Sequence, residues 1–414
     1  METKLPVPIL RVGFVGSGFV AHFHLRAMVG VRNVEITGVY SPTPERRETL
    51  AGTIAELGLG NCRVHISLES LFAAPDVDAI WMLSPNDTRL AVMERLAGMV
   101  REGKSRVFAV ACEKPLARTL AEARRMLSLA EEAGLNHGYL ENQIFSTAVQ
   151  RGKDIIWRRA VPATGRPYLA RAAEEHSGPH EPWFWRGAIQ GGGVLLDMMC
   201  HSVEVARFLL TAPGAPRDSL RLKSATGALA NLKWTQANYA KALKARMGAD
   251  VDYARHPAED FARGMLRLED ADRNEVVIEA TTSWAYVGAG LRIQLELLGP
   301  EYAMEFSSLG GGLKVFMSRA VKVAEGEDLV EKQNAEQGLM PVLEDEAGSY
   351  GYTGEDRHMV ECFRTGKQPT ETFADGVAVV EILMALYKSA ETGRTVAFPD
   401  RDLEMFVPAV ARPG

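Results

Sequence analysis

The most informative pattern in the chain pairs a carboxylate with an imidazole on one predicted helix. Three glycines, 191–193, end a loop, and the apolar run after them predicts a helix that contains Asp197 and His201. Residues four apart share a helix face, so the two side chains are expected side by side. The pair could take up and release a proton. It could equally be a structural histidine with an aspartate partner, because such pairs are also common.

A second pattern, near the N-terminus, predicts a dinucleotide site. A predicted strand at 9–15 leads into residues 16–21, Gly-Ser-Gly-Phe-Val-Ala, and a helical pattern follows. In this G-x-G-x-x-A form, Gly16 permits a tight turn, Gly18 lets the backbone approach a pyrophosphate, and the helix N-terminus offers N–H groups to the phosphates. The residues expected at the cofactor here are Gly16, Gly18, Phe19 and Val20.

The end of the second predicted strand, 34–40, bears on the choice of cofactor. Residues 40–43 read Tyr-Ser-Pro-Thr, so no carboxylate is present to hold a ribose 2′-hydroxyl or to repel a 2′-phosphate. Ser41, Thr43 and Arg46 could receive either group, although Arg46 could also be a solvated helix residue. The cofactor is therefore expected to be NAD or NADP.

Two further predicted strands place polar loops at the same edge of a parallel sheet. The strand 77–84 ends at Ser84 and Asn86, and the strand 106–112 ends at residues 113–115, Glu-Lys-Pro. Ligands of open parallel sheets lie beyond the carboxyl ends of the strands. A helical pattern at 116–133 and a last strand at 135–140 complete a predicted α/β domain.

Bulk properties limit the class of protein. A chain of 414 residues is long enough for two domains, and a net charge of -6 argues against nucleic acid or an anionic membrane surface as partner. No apolar run reaches the roughly 18 residues that a membrane helix needs. Four scattered cysteines indicate reduced thiols and a cytoplasmic location, and no spacing suggests a metal site.

The second half of the chain contains a loop suited to a polar ligand. Residues 174–190 are rich in aromatic and titratable groups, and His176, Trp183, Trp185 and Arg186 could line a substrate or cofactor pocket. The aromatic residues could instead hold the loop against the core. Residues 211–262 are interpreted as a long insertion between a helix and the next strand. Antiparallel strands are expected at 276–285 and 291–298, and the acidic segment 325–347 is expected at the surface.

Taken together, these motifs resemble the glucose–fructose oxidoreductase / inositol dehydrogenase / MocA family of nicotinamide-dependent enzymes. The resemblance covers nearly the whole chain and implies an N-terminal Rossmann domain, residues 1–145, followed by an α/β domain at 146–414 with a large, mostly antiparallel open sheet. The last helices could pack back on the first domain, and the second domain is expected to form a homodimer or homotetramer. The matching segments are residues 16–21, 84–86, 113–115, 185–186, 191–201, 366–369, 375–376 and 387–390.

The resemblance also implies roles for individual residues. Lys114, Asp197 and His201 would meet at the nicotinamide as the catalytic set, and Ser84, Asn86, Glu113, Lys114, Trp185 and Arg186 would join the cofactor site. The substrate would contact Lys114, His176, Trp183, Asp197 and His201. Two departures affect these contacts: the family often has a histidine a few residues after the motif at 84–86, where this chain has Arg89 nearby, and residues 141–143 lack the arginine that the family often has in that segment.

The function expected from these features is hydride transfer between NAD or NADP and a hydroxyl-bearing carbon of a sugar, cyclitol or glycoside. In this hypothesis His201 takes the hydroxyl proton, Lys114 stabilises the developing alkoxide, and Asp197 orients the substrate and raises the basicity of His201. Two alternatives stay open. One is an NAD-dependent glycosidase that oxidises its substrate transiently, and the other is a non-catalytic dinucleotide sensor.

Overall fold

A computed structural model describes residues 6–288, 290–310, 313–317, 338–342 and 345–412. The described chain divides into two compact units. The first contains the residues up to Ser146 together with Tyr350–Val380, and the second contains Thr147–Ser349 together with Glu381–Gly414. Most of the acidic segment 325–347 lies outside the described residues.

The first unit is built on a six-stranded parallel sheet. Its strands are β1 (Leu10–Val15), β2 (Val34–Tyr40), β3 (Arg63–His65), β4 (Ala79–Met82), β5 (Ala109–Glu113) and β6 (Asn136–Leu140). The spatial order is β3-β2-β1-β4-β5-β6, which is the order of a Rossmann fold. The chain order reverses between β1 and β4, and this reversal is where such sheets bind their ligands.

Helices cover this sheet because the central strands are buried and read as continuous apolar runs. They are α1 (Phe19–Met28), α2 (Pro44–Glu56), α3 (Leu68–Phe72), α4 (Arg89–Arg101) and α5 (Leu120–Glu132). A later segment of the chain, 352–365, adds Met359, Val360 and Phe363 to the core around β1 and β4. The predicted Rossmann strands and the dinucleotide-binding architecture are confirmed.

The second unit begins with helices α6 (Thr147–Ile155), α7 (Val161–Thr164), α8 (Gly187–Gln190) and α9 (Val194–Leu210). Its main sheet contains β7 (Leu169–Glu175), β8 (Arg221–Ala230), β9 (Phe261–Glu269), β10 (Glu275–Ser283), β11 (Arg292–Gly299), β12 (Tyr302–Ser307) and, later in the chain, residues 396–397. The order is β12-β11-β7-β10-β9-β8 followed by the strand at 396–397, and the pairings are antiparallel except for β7 with β10. The large, mostly antiparallel sheet is therefore confirmed.

The strand at 396–397 in the main sheet is β15 (Val396–Ala397). A separate two-stranded ribbon pairs β13 (Leu313–Met317) with β14 (Gly338–Val342). The remaining helices are α10 (Ala237–Met247), α11 (Glu346–Ser349), α12 (Tyr352–Thr365) and α13 (Phe373–Thr392). None of the helices in the described part of the chain has the length and apolarity that crossing a bilayer requires.

The interpretation of 211–262 as one insertion is wrong. This segment contains β8, which pairs with β9 along its whole length, so only residues 231–260 form an excursion between two strands. The strand escaped the pattern analysis because its residues are small or half-buried and give almost no alternation of apolar and polar positions. Helix α10 lies within the true excursion.

Candidate active site

The loop between β1 and α1 has the geometry that a dinucleotide needs. Gly16 has φ +116°, and a Cβ there would lie 2.7 Å from the backbone carbonyl group of Leu83, so only glycine fits. Gly18 caps α1 without a side-chain hydrogen bond, and a Cβ built on it meets nothing within 4 Å. The buried Ser17 hydroxyl has no hydrogen-bond partner among the described residues. Free helix N–H groups, open space and an unsatisfied hydroxyl fit a pyrophosphate.

The other cofactor residues predicted in the first unit lie at the carboxyl ends of its strands. Ser41 is buried directly after β2, and its carbonyl accepts a 3.0 Å hydrogen bond from Nη1 of Arg47. Thr43 and Arg46 are exposed at the start of α2. After β4, the Ser84 hydroxyl accepts a 2.8 Å hydrogen bond from Thr88, and Asn86 is buried in a 3₁₀ turn. Phe19 is 44% exposed on α1 and Val20 is half-buried.

Lys114 is half-buried and follows β5, in the first unit. Its backbone N–H donates a 2.9 Å hydrogen bond to Oε2 of Glu113. The other carboxylate oxygen of Glu113 lies 3.1 Å from Nε2 of His24, and Nδ1 of His24 lies 2.9 Å from Oδ1 of Asp356. Indole Nε1 of Trp81 donates a 3.0 Å hydrogen bond to the same Asp356 oxygen. A buried chain of charges thus holds the backbone of Lys114.

The ionisation of this chain follows from its pairing. Burial acts to lower the pKa of His24, but Asp356 and Glu113 together raise it well above its ordinary value. Burial acts to raise the pKa of Glu113, but His24, aided by the charges of Lys114 and Arg89, brings that pKa below its ordinary value. The adjacent Glu355 is fully buried, and burial raises its pKa well above its ordinary value. His24 is therefore an imidazolium between two carboxylates.

Asp197 and His201 lie in the first two turns of α9, in the second unit, and each is 4% exposed. The predicted helix is confirmed, and residues four apart on it share a face. The N–H of Asp197 bonds to the carbonyl of Gly193, and its Oδ2 accepts a 3.2 Å hydrogen bond from indole Nε1 of Trp284. Lys114 belongs to the other unit, so its convergence with Asp197 and His201 stays a prediction.

The glycine triplet before α9 is explained by close packing. A Cβ on Gly192 would clash with the hydroxyl of Tyr387, and a Cβ on Gly193 would lie 2.5 Å from the carbonyl oxygen of Glu259. Oε1 of Glu259 accepts hydrogen bonds from the N–H groups of Gly193 at 3.0 Å and Leu195 at 3.1 Å. The hydroxyl of Tyr387 donates to the same oxygen at 2.5 Å. Glu259 and Tyr387 therefore anchor the start of the helix.

Glu259 has no ion-pair partner among the described residues, so no paired cation lowers the pKa of its carboxyl. Burial raises its pKa to about 7, although the hydrogen bonds from Tyr387, Leu195 and Gly193 act in the opposite direction. A carboxyl at the N-terminus of a helix is otherwise stabilised as the anion by the helix dipole. Sequence reasoning singled out neither Glu259 nor His24, because their partners are remote in sequence.

The predicted loop residues of the second unit are mostly engaged with the protein itself. Nδ1 of His176 accepts a 2.9 Å hydrogen bond from the N–H of Gly178, and the ring of Trp183 stacks on Phe184 at 3.7 Å. Trp185 is 2% exposed, and its ring centroid lies 5.2 Å from that of Trp284. Its indole donates a 3.1 Å hydrogen bond to the carbonyl of Pro179.

A cavity of about 730 Å³ lies in the second unit. Trp185 and Arg186 line it, together with Glu259 and Tyr387. Asp197 and His201 are not among its lining residues. Trp185 and Arg186 therefore lie at a cavity, and their contact with a substrate or cofactor stays a prediction.

Sequence models of one family match both units. The model described as oxidoreductase family, NAD-binding Rossmann fold, matches residues 10–139, and the model of the Gfo/Idh/MocA C-terminal domain matches residues 162–301. A 1,5-anhydro-D-fructose reductase of Ensifer adhaerens is 30% identical over 219 residues, which are 52% of this chain and 61% of that protein. A D-apiose dehydrogenase of Paraburkholderia graminis is 24% identical over 413 residues, 99% of this chain and 94% of that protein.

Solved structures agree with this assignment. GenD2 from gentamicin A biosynthesis, in complex with NAD, superposes with a TM-score of 0.75 at 25% identity, covering 97% of this chain and 99% of that one. Levoglucosan dehydrogenase in complex with NADH and levoglucosan, at 20% identity and a TM-score of 0.67, shares the fold over 94% of this chain and 100% of its own. The predictions of a dehydrogenase-like enzyme and of a nicotinamide cofactor are confirmed. The chain belongs to the Gfo/Idh/MocA family of oxidoreductases, and its first unit contains the family's NAD-binding Rossmann domain.

Proposed function

We propose that this enzyme transfers a hydride between nicotinamide and a hydroxyl-bearing carbon of a sugar, cyclitol or glycoside. The observation that carries the proposal is the buried Asp197–His201 pair on α9, anchored by Glu259, Tyr387 and Trp284, in a chain with an NAD-binding domain. A carboxylate and an imidazole that are both buried on one anchored helix are suited to proton transfer. The names of the relatives, which include inositol dehydrogenases, support a polyhydroxylated substrate.

Each residue of the proposed set has a separate role. Residues 16–20 would hold the dinucleotide, and a bound nicotinamide would supply the acceptor for the hydride of the carbinol carbon. His201 takes the proton of the substrate hydroxyl, so the carbinol group loses a hydride from its carbon and a proton from its oxygen and becomes a carbonyl. The ammonium of Lys114 hydrogen-bonds to the same oxygen and stabilises its developing negative charge. Asp197 holds the substrate and favours the protonated form of His201 through its charge.

Substitution of the proposed catalytic residues tests this assignment. We expect Lys114→Ala and His201→Ala each to lower turnover by roughly 10²–10⁴-fold while NAD binding, measured by calorimetry, changes little. The matched control for Lys114→Ala is Lys104→Ala, at an exposed lysine, and the control for His201→Ala is the wild-type enzyme. Turnover of either catalytic variant at the level of its control would remove that residue from the mechanism.

The same assay separates net oxidation from the two alternatives. The enzyme is mixed with excess NAD and a panel of sugars, cyclitols and glycosides, and reduced cofactor and cleavage products are both measured. Reduced cofactor that accumulates with the oxidised substrate supports the dehydrogenase. Released sugar without that accumulation would indicate a glycosidase, and NAD binding without any turnover across the panel would indicate a sensor.

We propose that the enzyme uses NAD and also tolerates NADP. Residues 40–43 provide no carboxylate to repel a 2′-phosphate, and Thr43 and Arg46 are exposed where that group would lie. Calorimetry with both dinucleotides tests this, and Arg46→Ala should weaken binding of NADP more than that of NAD. Arg63→Ala, at a residue whose side chain is 62% exposed, is the control. An unchanged ratio of the two affinities in Arg46→Ala would exclude Arg46 as the phosphate contact.

We further propose that the open sheet of the second unit forms the interface of a homodimer or homotetramer. Along β9 and β10 every second residue is buried, and the other side chains form ion pairs such as Arg171–Glu279 at 2.9 Å. Light scattering of the purified protein tests this proposal, and a monomer would exclude it. The cytoplasmic location stays a prediction.

A further inference from the structure

Arg89 is a buried cation that binds only backbone. It is the first residue of α4 and is 4% exposed. Its Nε donates a 3.0 Å hydrogen bond to the carbonyl of Ser84, and its Nη1 donates to the carbonyl of Glu113 at 2.6 Å and to that of Pro115. One guanidinium thus joins the loop after β4 to the loop after β5.

This position is electrostatically unfavourable for the helix itself. A cation in the first turn opposes the helix dipole, which typically costs about 0.3–1 kcal/mol. Among the described residues no carboxylate forms an ion pair with Arg89; its guanidinium donates to carbonyl oxygens, and the nearby Glu113 carboxylate feels its charge without a hydrogen bond to it. Because the cation does not stabilise its own helix, we expect the role of Arg89 to lie in the loops that its side chain contacts.

The two joined loops are those that the proposed function requires. Ser84 precedes the buried Asn86 of the expected cofactor site, and Glu113 and Pro115 flank Lys114. Because β4 and β5 are neighbours in the sheet, a single planar side chain can reach both loop ends. The fork geometry of a guanidinium provides five N–H donors, whereas an imidazole has at most two. Arginine is therefore the side chain suited to three carbonyls.

We propose that Arg89 is a positioning residue that fixes Lys114 relative to the loop after β4, residues 84–88. The inference depends on the proposed function, since it assigns the backbone of Lys114 a fixed position for catalysis. Glu113 holds that backbone from one side through its own carboxylate, and Arg89 holds it from the other through the flanking carbonyls. Displacement of a catalytic group by about 1 Å can cost roughly 10²-fold in rate.

The experiment compares Arg89→Lys and Arg89→Met with the wild type and with Arg95→Lys. Arg95 is on the same helix, its side chain is 55% exposed, and it pairs with Glu69. We expect kcat to fall about 10-fold in Arg89→Lys and about 10²-fold in Arg89→Met, with a smaller change in KM. Competitive acetylation of Lys114 should show a shifted apparent pKa of its amine in Arg89→Lys, which keeps the positive charge and changes only the hydrogen bonds. A purely structural role of Arg89 would leave that titration unchanged.

Hydrogen exchange gives a second readout that needs no turnover. In Arg89→Lys the peptides that cover 84–88 and 112–117 should exchange faster together, while those that cover β1 and α1 stay unchanged. Should Arg89→Met fail to fold, Arg89→Lys decides alone. Wild-type titration of Lys114 and wild-type exchange in both loops of Arg89→Lys would overturn the inference. Full turnover of Lys114→Ala would instead overturn the proposed function, so the two failures are distinguishable.

Discussion

Two buried glutamates perform the same structural task in the two units and differ in their protonation. Glu113 accepts the N–H of Lys114, and Glu259 accepts the N–H groups of Gly193 and Leu195 at the start of the helix that contains Asp197 and His201. Glu113 faces the imidazolium of His24, which lowers its pKa. Glu259 faces only hydrogen-bond donors, and burial raises its pKa to about 7.

The difference in protonation between Glu113 and Glu259 shows what the main-chain N–H groups at both places require. They need a carboxyl oxygen as acceptor, whether or not the carboxyl is charged. Both anchors provide one carboxyl oxygen to main-chain N–H groups beside a proposed catalytic residue. Because Glu113 pairs with the cationic His24, the first anchor is insensitive to pH near neutrality but depends on His24. The second depends on no cation and titrates near neutral pH instead. The two anchors should therefore respond differently to loss of a partner and to a change of pH.

Loss of the His24 cation should cause the largest decrease in the free energy of unfolding. His24→Gln leaves Asp356 and Glu113 buried without a positive charge, and breaking such a buried pair typically costs about 3–5 kcal/mol of unfolding free energy. Urea unfolding measures this change. The control is Arg101→Gln, which breaks an exposed pair with Glu132 and should cost less than about 1 kcal/mol. If His24→Gln were as stable as the control, the charge network would not support the first anchor.

A change of pH should distinguish the second anchor. A carboxyl whose pKa rises on folding from 4.5 to about 7 contributes stability that is complete below about pH 4.5 and is lost as the pH rises to about 7. That difference corresponds to at most about 3 kcal/mol. Glu259→Gln keeps an acceptor oxygen without the titration, so its stability relative to wild type should increase between pH 5 and pH 7.

Urea unfolding at several pH values measures this prediction. The control is Glu275→Gln, because Glu275 is exposed beside Arg267 and the pKa of its carboxyl is lowered. Its stability relative to wild type should stay constant over the same range. Parallel pH profiles of wild type and Glu259→Gln would mean that Glu259 is ionised in the folded protein throughout, and the contrast with Glu113 would disappear.

The sequence separation of interacting residues determines which features of the molecule could be predicted from the sequence. The parallel strands were predictable because burial on both faces leaves continuous apolar runs, and the Asp197–His201 face was predictable because a helix repeats locally. The anchors were not predictable. Glu259 is 66 residues from Gly193, Tyr387 is 194 residues from it, and His24 is 332 residues from Asp356. Such pairings are created by the tertiary fold and leave no local pattern.

Strand β8 illustrates a different limit. Its central residues, 224–228, read Ser-Ala-Thr-Gly-Ala, and only Ala225 among them is fully buried. Gly227 is needed there because a Cβ would coincide with the carbonyl oxygen of Leu386 in α13. A strand that packs against a helix backbone uses small residues, and small residues give no apolar alternation to detect.

The smallest of these effects concerns the steric part of the second anchor. A Cβ on Gly192 would occupy the place of the Tyr387 hydroxyl, so Gly192→Ala must displace Tyr387 or the start of α9. Overpacking of this kind typically costs about 1–3 kcal/mol. Tyr387→Phe removes the hydroxyl, so the same alanine should cost less in that background. A double-mutant cycle in urea measures the coupling between the two positions.

Gly52→Ala provides the control for this cycle. Gly52 lies inside α2, and a Cβ there meets nothing within 4 Å, so alanine should stabilise the helix by about 0.5–1 kcal/mol. Equal costs of Gly192→Ala with and without the Tyr387 hydroxyl would show that the contact does not limit the residue at 192. A positive coupling would show that Tyr387 fixes the start of α9 by shape as well as by its hydrogen bonds.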